Sequence, residues 1–262
     1  CYGGGSIKKA GIYDEAVKIL KEEDIEIFEL SGIAPNPKIE SVREGVKLCK
    51  ENDIDMVLAI GGGSVIDCAK VVAAGACYDG DPWDLVITPR WIKKALPIYS
   101  VLTLSATGSE MDPFAVISDM SKNEKWGTSS EHMKPKMSIL DPEYTYSVSK
   151  KQTAAGTADM ISHICENYFT NVKNADVQAR FAEGLLKNCF KYGPIALEEP
   201  DNYDARANLM WTASMAINGI LSDGAEVSWC VHPMEHELSA FYDITHGEGL
   251  AILTPHWMDF AL

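Results

Sequence analysis

The amino-acid sequence predicts an α/β domain over residues 1–150, with a dinucleotide-binding character, followed by an all-helical, metal-binding domain over 151–262. Three observations carry this. Helical and strand-like apolar patterns alternate as far as Leu140. A glycine-rich turn, Gly61-Gly62-Gly63-Ser64, joins a short apolar run to a helical one. Beyond Ser149, glycines and β-branched runs thin out and helical spacing takes over. Strands alternating with helices argue for a parallel sheet covered by helices.

In chain order, Ala16, Ile19 and Leu20 give residues 13–22 helical spacing. Ile25 to Leu30 alternates like a strand and is stopped by Ala34-Pro35-Asn36-Pro37. Ile39, Val42, Val46 and Cys49 mark one helix face. Met56 to Ile60 suits a strand buried on both sides. Val65 to Ala74 reads as a helix, and Ile98 to Thr103 and Ser138 to Leu140 as further strands. Helices are then predicted at 152–170, 175–192, 202–220 and 225–240, with the domain boundary near 149–152.

With 262 residues, 46% of them hydrophobic and 23% charged, the chain has the balance of a globular protein with a sizeable core. Its net charge of −15 repels nucleic acid and anionic lipid, so neither is an expected partner. No apolar run is long enough to span a bilayer. The 7 cysteines form no Cys-x-x-Cys pair; they read as free thiols, mostly buried, which favours a reducing, cytoplasmic compartment. The abrupt start at Cys1-Tyr2-Gly3 and the apolar end at Phe260-Ala261-Leu262 suggest a piece of a longer chain, truncated at both ends.

Two clusters carry potential metal ligands. Asp159 and His163 stand four apart, on one face of a helix. His232, His236 and His246 follow, so four of the 6 histidines fall in these clusters. Three imidazoles and a carboxylate suit a borderline divalent metal with an open position. A competing pattern overlaps them: His232-x-x-Glu235-His236 matches an inverted zinc-protease motif in which Glu235 activates water. Pro233 fits a helix there only in its first turn.

In the first half, Gly61–Ser64 lets backbone N–H groups approach a pyrophosphate at a helix start, or is simply a tight turn. Gly3-Gly4-Gly5-Ser6 is a second such turn or a flexible end. Thr103-Leu104-Ser105-Ala106-Thr107-Gly108-Ser109-Glu110 gathers hydroxyls at a strand's carboxyl end, where such sheets bind ligands. Alternatively, Thr107 or Ser109 caps a helix.

Together, Gly-Gly-Gly-Ser-Val-Ile-Asp at 61–67, Ala-Thr-Gly-Ser-Glu at 106–110, Asp159-x3-His163 and His232-x3-His236-x9-His246-Gly247 resemble the iron-containing (group III) alcohol dehydrogenases. Tyr-Gly-Gly-Gly-Ser-Ile-Lys-Lys at 2–9 and Phe-Tyr-Asp-Ile-Thr-His-Gly at 241–247 are similar to the NADPH-dependent butanol dehydrogenase and aldehyde reductase branch. The resemblance implies a dehydroquinate synthase-like domain pair with ligands in the cleft between. It implies one Fe2+ or Zn2+ (Ni2+ fits as well) on Asp159, His163, His232 and His246. Gly62, Gly63, Ser64 and Asp67 would hold the cofactor with Gly4, Gly5, Ser6, Asn36, Thr103, Ser105 and Thr107, and Lys125 would reach its ribose or phosphate region. His236 and Asp67 are the candidate catalytic side chains. No carboxylate stands in Gly3–Ser6 to repel a 2′-phosphate, which favours NADP(H) over NAD. The expected activity is hydride transfer between this cofactor and small primary alcohols or aldehydes, in a homodimer. A metal-dependent lyase or synthase on the same fold is the alternative, beside the protease.

Overall fold

Strand β1 (Val57–Gly61) is buried at four of its five residues, as its continuous apolar run requires. In this computed structural model, which describes residues 1–170, 172–225 and 227–261, the chain forms two compact units. The first comprises Cys1–Thr103, Pro113–Lys122 and Trp126–Leu140, and the second Leu104–Asp112, Asn123–Lys125 and Asp141–Leu262. The division therefore differs from a single cut near 150: two short segments of the first half pack with the second unit.

The first unit contains α1 (Ser6–Lys9), α2 (Ile12–Glu22), α3 (Ile39–Glu51), β1, α4 (Gly63–Ala76), α5 (Pro82–Ile87) and β2 (Ile98–Leu102). A hairpin of β3 (Phe114–Asp119) and β4 (Glu124–Ser129) follows, then β5 (Met137–Ile139). The sheet order is β1-β2-β5, all parallel, with Val57 opposite Ile98 and Gly61 opposite Leu102. Helix α4 is apolar nearly all round, and Val65, Ile66, Cys68, Ala69 and Val71 are buried. Its two charged residues are tied to backbone: Lys70 Nζ donates to the Phe114 carbonyl (2.7 Å) and Asp67 Oδ2 accepts from Val116 N–H (2.9 Å). Burying those charges without partners would cost several kcal/mol, so both bonds anchor the hairpin to α4.

The predicted strand at Ile25–Leu30 does not form. A ladder needs a neighbour, and residues 1–3 offer one only at its end, where Tyr2 N–H donates to the Leu30 carbonyl (2.9 Å) and Ile33 N–H to the Tyr2 carbonyl (3.2 Å). No helix follows the hydroxyl-rich segment either; Thr107 Oγ1 accepts from Ser109 N–H within a turn.

The second unit is helical: α6 (Lys150–Tyr168), α7 (Asp176–Glu198), α8 (Tyr203–Ile217), α9 (Val231–Tyr242) and α10 (His246–Ala261). Met160, Ile164, Ala182, Cys189, Leu209 and Ala213 form its core. Helix α7 continues through Pro194, past the predicted end at 192. The helix predicted at 225–240 starts only at Val231; Glu226, inside that stretch, lies outside the described residues. Pro233 takes the third position of α9, where its missing N–H is one the helix could not have used. Helix α10, beyond the last helix predicted, begins at His246. Two glycines seat it: a Cβ at position 247 would stand 2.0 Å from the Ala155 carbonyl oxygen, and one at 249 would stand 2.8 Å from Glu235 Cγ. Among the described residues, no helix is long and apolar enough to cross a membrane.

Candidate active site

Helical spacing builds the centre in the second unit. Asp159, His163 and Glu166 are four and then three residues apart on α6, so all three face one way. His232 stands in the first turn of α9 and His246 opens α10. Asp159 Oδ1 lies 3.5 Å from His163 Nδ1, 3.7 Å from His232 Nε2 and 3.8 Å from His246 Nε2. The Asp159, His232 and His246 ligand atoms all fall within 4.8 Å of one another. His163 joins them from its own side of Asp159, its ring stacked on that of His232 with centroids 4.4 Å apart.

Asp159 Oδ1, His163 Nδ1 and His232 Nε2 are buried and have no hydrogen-bond partner. Buried polar atoms without a partner are costly, and two of these three belong to residues of the Asp159, His232 and His246 group, which calls for a further ligand there. Tetrahedral zinc–nitrogen bonds of roughly 2.0–2.1 Å set ligand–ligand spacings near 3.4 Å, slightly below those observed. The donor set therefore fits a divalent cation.

Two carboxylates absent from the predicted ligand set hold the imidazoles from behind. Glu166 takes His232 Nδ1, and its two oxygens also accept the N–H groups of Val231 (2.6 Å) and His232 (3.3 Å), capping α9. Glu235 takes His246 Nδ1, Ser239 Oγ and, at 3.0 Å, Lys125 Nζ. Holding Nδ1–H on a carboxylate leaves Nε2 as the donor to a metal and fixes the ring. Trp229 stands edge-on to the rings of His163 and His232, with centroids 6.1 and 5.4 Å away.

The electrostatics follow this packing. Burial raises the Asp159 carboxyl, but the surrounding imidazoles outweigh it and hold it well below the usual range. Burial pushes His163 down to about 3. Burial works the same way on His232, yet the Asp159 and Glu166 carboxylates override it and raise this group to about 9. For Glu235, burial is outweighed by His246 and Lys125, and its carboxyl falls to about 2. His236 is driven well below its ordinary value, first by burial and then by Lys125 and His246, so it is neutral.

The structure sorts the remaining expected residues. His236 is no ligand of the trio but stands beside it, 5.8 Å from the His246 ring between centroids. Lys125 is not free to reach a ribose or phosphate: it is buried on Glu235 and 3.3 Å from His246 Nδ1. Asp67 is corrected from catalytic and cofactor-binding roles to an anchor of the hairpin, because its carboxylate is committed to Val116. The protease reading fails similarly, since Glu235 is fully buried and saturated and cannot activate water. Ser105 Oγ is buried without a partner. Gly62 caps α4, with Gly63 and Ser64 as its first residues, and the first amides of a helix have no acceptor within it. Gly4, Gly5 and Ser6 form the tight entry to α1, Gly5 with φ of 106°. Asn36 is buried with φ of 49°, and Thr103 N–H continues β2 onto the Gly61 carbonyl at 3.0 Å.

Residues 1–142 match the family described as iron-containing alcohol dehydrogenase, and 153–262 match its C-terminal domain, described as Fe-containing alcohol dehydrogenase family, C-terminal. The chain belongs to the iron-containing alcohol dehydrogenase family. It is 62% identical over 261 residues to NADH-dependent butanol dehydrogenase A of Clostridium acetobutylicum, covering 100% of this chain and 67% of that relative. Against NADPH-dependent aldehyde reductase YqhD of Escherichia coli the identity is 44%, covering 97% of this chain and 66% of the relative. Among solved structures, NADH-dependent butanol dehydrogenase A of Thermotoga maritima superposes with a TM-score of 0.96 at 48% identity, over 99% of this chain and 65% of that one. The chain thus spans about two thirds of the length of these family members.

Glu166 was the residue most open to discovery from sequence, because it extends the Asp159–His163 helix face by one more turn. Glu235 drew notice only through the protease pattern, and Trp229 carried no signal.

Proposed function

We propose that this chain is a metal-dependent alcohol dehydrogenase or aldehyde reductase, transferring hydride reversibly between NAD(P)H and small primary aldehydes such as butanal. The observation that carries the reading is the convergence of Asp159, His232 and His246 ligand atoms within 4.8 Å, with Asp159 Oδ1 and His232 Nε2 buried and without a hydrogen-bond partner. When bound, the cation supplies Lewis-acid polarisation of a substrate oxygen and the dinucleotide supplies the hydride. Asp159, His163, His232 and His246 hold the cation, and Fe2+, Zn2+ and Ni2+ all suit this donor set. Glu166 and Glu235 keep the His232 and His246 rings in the ligating tautomer. The amides of Gly62, Gly63 and Ser64 receive the pyrophosphate at the α4 N-terminus. Neutral His236, beside His246, is placed to pass a proton through its ring nitrogen.

On cofactor choice, the acid-free loop Gly3–Ser6 supports NADP(H). The names of the relatives at 62% and 61% identity support NADH instead. Comparing kcat/KM with the two reduced cofactors decides between them. A homodimer and a cytoplasmic setting belong to the same proposal; light scattering tests the first, and the free cysteines support the second.

His246→Ala is expected to lower butanal-dependent NAD(P)H oxidation by about 10³-fold, of the order seen when a transition-state contact is lost. Dinucleotide affinity should be retained. Undiminished turnover in that variant, with its metal content measured, would reject the proposal.

A further inference from the structure

The two carboxylate–imidazole pairs behind the ligands are not equivalent. Among the described residues, Glu166 receives the N–H groups of Val231 and His232 and the His232 ring, with no cation beside it in those bonds. Glu235, with its side chain 0% exposed, faces Lys125 at 3.0 Å, itself 3% exposed. Both carboxylates act as acceptors through both oxygens, which is the behaviour of ionised groups. With Asp159 they give the centre three carboxylates against one ammonium, a formal balance of minus two. The ligand imidazoles add nothing when they ligate. A divalent cation brings this buried cluster to zero.

We infer that Lys125 is the residue that sets which ionic valence the centre accepts. By cancelling one carboxylate charge it matches the ligand set to a divalent ion and disfavours a trivalent one, oxidised iron included. The inference rests on the assignment of Asp159, His163, His232 and His246 as cation ligands. It goes beyond that assignment because a lysine serving only to fill space or brace Glu235 would leave valence preference untouched. Charge is the deciding quantity here because the cluster is buried: unit charges a few ångströms apart at the effective dielectric of a protein interact by several kcal/mol, whereas water would reduce this severalfold.

The test measures metal content rather than turnover. The full chain is stripped with a chelator and equilibrated with nitrilotriacetate-buffered Zn2+ and Ga3+, a trivalent ion without redox chemistry. The bound ratio is then read by mass spectrometry. The series is wild type, Lys125→Arg, Lys125→Met, Glu235→Gln and the double variant Lys125→Met/Glu235→Gln. Lys125→Arg should keep the wild-type ratio. Lys125→Met should raise Ga3+ over Zn2+ by about 10- to 100-fold, the size expected for one unit charge nearby in a protein interior. Glu235→Gln should move the ratio the opposite way, and the double variant should return it to wild type. If Lys125→Met does not fold, the step from Glu235→Gln to the double variant still has to raise the ratio. A ratio that does not follow net charge across the series, with Zn2+ still bound, overturns the role of Lys125 alone. Failure of the wild-type chain to bind Zn2+ overturns the ligand assignment itself.

Discussion

On the proposed reading, the groups that the first unit offers to a ligand are backbone amides at Gly62–Ser64, while those of the second are side chains on α6, α9 and α10. The charged residues of α4 illustrate the contrast. Asp67 and Lys70 stand next to the glycine turn, yet both are spent on the backbone of β3. In the second unit nearly every buried charge near the ligands works on the ligands. An amide site needs little beyond a correct turn, so neighbouring side chains are free for architecture. An imidazole has two nitrogens and a rotatable ring, so it needs a partner to fix both, and Glu166 and Glu235 serve that need.

The contrast can be broken at several points. The largest effect is expected from Gly247→Ala, whose Cβ would meet the Ala155 carbonyl oxygen at 2.0 Å. Overpacking of this kind costs about 1–3 kcal/mol, and backbone in the way places this case at the upper end. Thermal unfolding should fall markedly and metal retention with it; an unchanged melting curve would mean that α10 is not held by this approach. Next, Glu166→Gln should weaken cation binding by about 10- to 100-fold while leaving dinucleotide affinity intact, the usual cost of losing a partner behind a ligand. Equal loss of both affinities would erase the distinction between the units. The smallest effect belongs to Asp67→Asn. It should destabilise the chain by about 1 kcal/mol, the net worth of one buried hydrogen bond, with turnover per folded molecule unchanged. A large fall in kcat without loss of stability would restore Asp67 to the reaction.

Much of the fold was legible because burial is periodic. The β1–α4 pair, β2, β5 and the cores of α6 to α8 follow apolar spacing that only one kind of element satisfies. The errors lie where partners decide. Ile25–Leu30 has a strand's alternation but not a strand's neighbour, and Pro194 and Pro255 sit inside helices that a proline would be expected to stop. In the site, residue type exposed Asp159, His163, His232 and His246, since few other jobs gather imidazoles. Lys125 was misplaced because an ammonium suits phosphate and carboxylate equally. Only the packed structure shows that Glu235 claims it.

Trp229, edge-on to two of the ligand rings, gives the molecule a built-in optical gauge. On the proposed ligand assignment its indole lies beside the cation, so loading with a paramagnetic ion would dim its emission and a closed-shell ion would not. Because the chain has 6 tryptophans, the part of the emission that Trp229 contributes is the part lost in a Trp229→Phe variant, and that part should follow the filling of the centre without substrate.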